Sequence, residues 1–180
     1  MPLSRVLIIE DDPILRDTLS STLRLKLGEA HIDTADSTLR SLERIRATEY
    51  SAILADAHQS RLEGIGFVRA VHKVHPRCPV LLLVEKHQED LFRQAMDAGA
   101  YDVLVKPIEE ATWLFAVRRA IEVARLRRQV EREEAHLVAS VGRMMKDLEA
   151  LYGAYGLQGH FEAFMASADA DKAGAAADGR

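Results

Sequence analysis

The feature that most constrains this chain is a set of five short apolar runs, each ending abruptly in polar residues and each followed by a segment of helical periodicity. Val6 to Ile9 is the first run, and it breaks at Glu10-Asp11-Asp12-Pro13. An unbroken apolar run of this length suits a strand buried on both faces, as in a parallel sheet. Pro13 fits the first turn of a helix, and Ile14, Leu15, Thr18, Leu19, Thr22 and Leu23 then recur at helical spacing up to Gly28. The unit repeats. Strands are expected over His31 to Ala35, Ser51 to Ala55, Pro79 to Val84 and Tyr101 to Val105, with helices over Ser37 to Ala47, over 65–74, over 88–98 and from near Glu109. This alternation predicts an open, doubly wound parallel α/β sheet with helices on both faces. In such sheets the chemistry gathers beyond the carboxyl ends of the strands.

Those ends carry a consistent set of side chains. The first strand ends in Glu10-Asp11-Asp12, the third in Asp56 and the fifth in Lys106-Pro107. Carboxylates brought together raise one another's proton affinity and are tolerated chiefly around a cation. Hard oxygen donors select Mg²⁺, which favours phosphate oxygens as further ligands. A carboxylate beside that ion can attack a phosphoryl group and become an aspartyl phosphate, while a lysine offers a compact charge for a phosphoryl oxygen.

On these residues the chain resembles the response-regulator receiver family, over roughly residues 4–125. The carrying motifs are Val6 through Pro13, Asp56 with Gly64 eight positions on, Ala98-Gly99-Ala100, and Val103-Leu104-Val105-Lys106-Pro107. The resemblance implies a flavodoxin-like five-stranded sheet in order 2-1-3-4-5. It implies Asp56 as phosphoacceptor and Lys106 as the phosphoryl contact. Glu10 and Asp11 would form the acidic pocket, with Asp11 the more direct Mg²⁺ ligand, and Asp56 and the His58 backbone carbonyl would complete the protein ligands. Asp12 reads as a helix-start acid rather than a ligand. The His58 side chain is either a base near the phosphoryl group or a loop filler.

The chain also departs from the family. Where the family usually has threonine or serine at the end of strand four, this chain has Val84, which cannot donate a hydrogen bond. Where it usually has an aromatic three residues before the lysine, this chain has Val103, with Tyr101 two residues earlier and on the same face by strand alternation. Gln59-Ser60 replaces the common Met-Pro pair. A hydrogen bond to a charged group is worth about 1.5–3 kcal/mol, so its loss could shift a two-state balance roughly tenfold. Two readings stay open: a phosphorylated switch that signals by another route, or a constitutive docking module.

Beyond Pro107 the helical pattern continues, with Gly142 the first glycine and Gly153, Gly156 and Gly159 beyond it. A helix over 109–152 would be about 66 Å long at the standard rise. Val123, Val130, Leu137, Met144 and Leu151 fall seven apart, a heptad seam. The second seam, Arg127, Glu134, Val141 and Leu148, is apolar only in its later half. The expectation is a coiled-coil helix pairing in a homodimer or with a partner helix, the alternative being a helix folded back on its own domain. The expected organisation is a receiver at 1–122, the long helix at 109–152, a short helical segment at 153–166 and a disordered tail at 167–180.

Composition narrows the function. A formal net charge of −4 gives no overall pull toward nucleic acid or anionic membrane. The arginines at 118, 119, 125, 127 and 128 are followed at once by acids and lack interleaved aromatics. Nucleic-acid binding is therefore the minor alternative. Cys78 is the only cysteine, so no intrachain disulfide can form. No membrane span or signal peptide is expected, and the expected compartment is the cytoplasm. No glycine-rich phosphate loop occurs. The expected protein is a non-enzymatic regulator, served by a histidine kinase or phosphotransfer protein and acting through protein contacts or dimerisation.

Overall fold

A computed structural model describes residues 4–57, 64–86 and 89–177. The chain divides into two compact units, Met1–Gln129 and Val130–Arg180. In the first, β1 (Arg5–Ile9), β2 (His31–Ala35), β3 (Ala52–Asp56), β4 (Val80–Glu85) and β5 (Asp102–Lys106) alternate with α1 (Pro13–Leu27), α2 (Thr38–Ala47), α3 (Gly64–Val74) and α4 (Glu89–Asp97), followed by the start of α5 (Glu110–Ala154). All pairings are parallel, in the order β2-β1-β3-β4-β5. The fold class and strand order are those expected.

Side-chain alternation sorts the sheet into two layers. Leu7, Ile9, Ile53 and Leu82 pack with Ile45 of α2, Phe67 and Val71 of α3, and Ala95 of α4. Val6, Ile8, Leu54 and Leu83 pack with Leu19 and Leu23 of α1 and with Trp113 and Val117 of α5. Both faces are covered, which is why the central strands read as unbroken apolar runs. Asp12 caps α1, accepting from the backbone N–H of Ile14 at 2.8 Å, so its expected role as a helix-start acid holds.

Tyr101 is a correction. It precedes β5 and packs on the α1/α5 layer, whereas Val103 packs in the opposite layer. The alternation that would put both on one face applies only within a strand, and Tyr101 lies before β5 begins. Cys78 is buried, and desolvation pushes its thiol up to about 12, as suits an inert core side chain.

Five arginines of α5, at 118, 119, 125, 127 and 128, are engaged within the first unit. Arg118 donates to the Lys26 carbonyl at 3.0 Å and Arg127 to the Arg77 carbonyl at 3.0 Å. Arg128 donates to Ser51 Oγ at 2.8 Å and lies 3.5 Å from Glu49. Arg119 and Arg125 pair with Asp102 and Glu122.

The second unit holds the rest of α5 and α6 (Gln158–Ala177). The chain turns at Gly156, whose φ of +69° suits glycine. Phe161 then stacks 5.8 Å from Tyr152 and is buried. α6 continues past the expected end at 166, through an alanine-rich segment of high helix propensity. Leu137, Met144 and Leu151 of the heptad seam are exposed. Among the described residues no helix is long and apolar enough to cross a membrane.

Gly99 closes α4 at a φ of +95°. A Cβ there would lie 3.1 Å from the His72 ring, which is held by its bond to the Cys78 carbonyl. Gly99→Ala is expected to lower stability by about 1–3 kcal/mol, read from the urea midpoint. An unchanged midpoint would show that this turn is not constrained.

Candidate functional site

The parallel register decides which strand ends meet. β1 and β3 align Ile9 with Ala55, so Glu10 and Asp56 emerge side by side. β3 and β4 align Asp56 with Leu83, and β4 and β5 align Glu85 with Lys106. Lys106 reaches back across the end of β4. Its Nζ lies 2.8 Å from Asp56 Oδ2, 3.4 Å from Glu10 Oε2 and 3.9 Å from Glu85 Oε1. Glu10 and Asp56 are buried, with side chains 1% and 7% exposed.

One oxygen each from Glu10, Asp11 and Asp56 lies within 4.8 Å of the others. Three carboxylates converging at that spacing suit a hard divalent cation with oxygen ligands and retained waters, as Mg²⁺ requires. The donor set therefore fits the ion that the sequence suggested. The remaining expected ligand, the His58 carbonyl, lies outside the described residues.

The electrostatics follow from burial. Desolvation, then the neighbouring Asp56 charge, hold the Glu10 carboxyl above its ordinary value of 4.5, against the opposing pull of Lys106. Desolvation works against the Lys106 charge, but its hydrogen bond to Asp56 and the charges of Asp56 and Glu10 outweigh it, so its affinity for the proton is raised above 10.5. The lysine is a fixed cation at any physiological pH.

Two contributors escaped the sequence reading. Arg16 donates to the carbonyls of Glu10 at 2.8 Å and Asp11 at 3.2 Å, fixing the turn that carries both acids. Its only signal was its position in the first turn of a helix beginning beside the acids. Glu85 lies one residue beyond the strand expected to end at Val84, yet β4 includes it. Val84 itself is buried in the core. Glu85 follows Leu83 on the α1/α5 side, and with Leu15, Leu19, Lys106 and Trp113 it lines a cleft of about 540 Å³.

Sheet order, acid cluster and facing lysine together define a doubly wound domain with an acidic pocket at the carboxyl edge of its sheet. The family model for the response regulator receiver domain matches residues 6–118, and the chain belongs to that family. Over 125 residues it is 36% identical to the C4-dicarboxylate transport transcriptional regulatory protein DctD of Pseudomonas aeruginosa, covering 68% of this chain and 26% of that protein. It is 34% identical over 117 residues to the response regulator protein FleR of the same organism, covering 64% and 24%. It is 30% identical over 126 residues to a protein-glutamate methylesterase/protein-glutamine glutaminase of Anaeromyxobacter dehalogenans, covering 68% and 33%. The chain thus spans about a quarter to a third of the length of these relatives, and they include both regulators and an enzyme. A receiver domain from Clostridium thermocellum superposes with a TM-score of 0.62 at 23% identity, covering 69% of this chain and 98% of that one. At that identity the likeness concerns the fold.

Replacing Lys106 by methionine keeps the volume but leaves Glu10 and Asp56 buried without its ammonium. The expected cost at pH 7 without divalent cation is about 3–5 kcal/mol. Glu10 holds its proton to higher pH folded than unfolded. Acid therefore favours the folded variant, and the deficit relative to wild type should shrink as pH falls toward 5. Urea titrations at both pH values check the sign; a deficit that grew in acid would contradict it.

Proposed function

We propose that this chain is a phosphorylation-dependent signalling switch whose acceptor is Asp56. The observation that carries this reading is Lys106 Nζ at 2.8 Å from Asp56 Oδ2, with the carboxylates of Glu10 and Asp11 clustered about the same aspartate. The donor is a phosphohistidine on a histidine kinase or phosphotransfer protein. Its P–N bond breaks as an Asp56 Oδ–P bond forms, and the ring nitrogen keeps the electron pair and takes a proton. Glu10, Asp11, Asp56 and the His58 carbonyl would hold Mg²⁺. When bound, the ion neutralises charge on the phosphoryl oxygens as they approach the carboxylate. Lys106 supplies the matching charge from the protein side.

The output is protein contact rather than chemistry. In the second unit α5 exposes Val130, Leu137, Val141, Met144 and Leu151, an apolar stripe at helical spacing. Phe161 is the one buried side chain described there. A unit with so little core of its own is completed by another body, and we assign that role to a second copy of the chain, paired through this stripe.

Val84 and Val103 favour a second reading. Both are buried in the core and neither carries a hydroxyl or a ring, so the domain would bind its partner whether or not Asp56 is modified.

Incubating the protein with Mg²⁺ and a small phosphodonor and weighing it intact should show one added phosphoryl group, absent from Asp56→Ala. No uptake by the wild type would favour the docking module. Sedimentation should show a dimer that Leu137→Glu and Met144→Glu weaken by about tenfold or more, since a charge would be buried at each substituted position. Unchanged association would place the interface elsewhere.

A further inference from the structure

Three carboxylates converge on the Lys106 ammonium, and they are not equivalent. Glu10 and Asp56 are buried beneath it, whereas Glu85 is 42% exposed and approaches from the end of β4. The β4/β5 register places Glu85 directly beside Lys106, so the pair is built into the sheet rather than left to a loop. Glu85 therefore stands as a third, solvent-facing claimant on the ammonium, 3.9 Å from it against 2.8 Å for Asp56.

Resting on the phosphoacceptor reading above, we propose that Glu85 is a positioning residue that competes with a phosphoryl group on Asp56 for Lys106. A new anionic group on Asp56 meets a lysine already shared with Glu85, and it gains a second negative charge as a neighbour. Both effects lower the occupancy of the modified state. Hydrolysis then resets the site: water adds to phosphorus, the P–O bond to Asp56 Oδ breaks, and Asp56 leaves as carboxylate while the water proton passes to the released phosphate. Val84 on the same strand offers no hydroxyl to offset the competition. Glu85 thus sets how easily the acceptor retains its group, a property separate from whether it accepts one.

Trp113 is the single tryptophan, and it lines the cleft beside Lys106 and Glu85. Its fluorescence can follow binding of beryllofluoride, an anionic phosphoryl mimic, at saturating Mg²⁺. Glu85→Gln, which keeps shape and loses charge, should bind the mimic about two- to fivefold more tightly than wild type, the range expected for a half-exposed ion pair. Glu85→Asp, which restores the charge, should return toward wild type. Equal affinity in wild type and Glu85→Gln, or tightening by Glu85→Asp as much as by Glu85→Gln, overturns the competition while leaving Asp56 a working acceptor. Asp56→Asn should abolish the response. No binding by wild type or by Glu85→Gln would sink the acceptor reading itself, and this proposal with it.

Discussion

The interaction on which the site depends is the ion pair between Lys106 and two carboxylates kept from water. Glu10 and Asp56 lie side by side at the ends of two adjacent inner strands of the sheet, where the Asp56 charge raises the cost of ionising Glu10. Lys106 contacts both. A pair this buried is weak evidence for stability in itself, because desolvation consumes most of the Coulombic gain. On the proposed function, the pair holds in place a site for a cation on one side and a phosphoryl group on the other.

The rest of the fold holds that arrangement in place. β1 and β3 are buried on both faces, so neither can slip without turning its apolar side chains to the wrong layer. The turn after β1 is fixed by the Asp12 cap and by Arg16 donating to the carbonyls of Glu10 and Asp11. Lys106 ends β5, one strand beyond β4. Its long stem lets an edge strand place charge at the sheet's centre.

Much of this was legible in the sequence, for a physical reason. Parallel strands covered on both sides must be apolar throughout, so each run shows its own length, and the first polar residue after it marks the functional edge. Glu10, Asp56 and Lys106 were found that way. The same rule misled at Glu85, where the apolar run ended one residue before the strand did. It also misled at Tyr101, where strand alternation was applied to a residue outside the strand. Arg16 left no periodic trace because its contacts are to backbone carbonyls. The further extent of α6 was missed because alanine-rich sequence, free of aromatics, carries helix propensity without the amphipathic signal that marks a packed helix.

The placement of α5 gives the acceptor strand two mechanical connections. The end of β3 is Asp56, bonded to Lys106, and only Pro107, Ile108 and Glu109 separate that lysine from Glu110 at the start of the helix. Just ahead of β3 is Ser51, whose hydroxyl accepts from Arg128, five turns further along the same helix. The intervening turns are seated by Trp113, Val117 and Ala120 against Leu54 and Leu83. Interiors packed at crystal-like density do not deform continuously, so a change in the balance of charge on Lys106 cannot be absorbed by slack between strand and helix. It must be met by a shift of the helix start, by the Arg128 contact at the other end of β3, or by the lysine alone. The double attachment therefore couples α5 to both ends of β3.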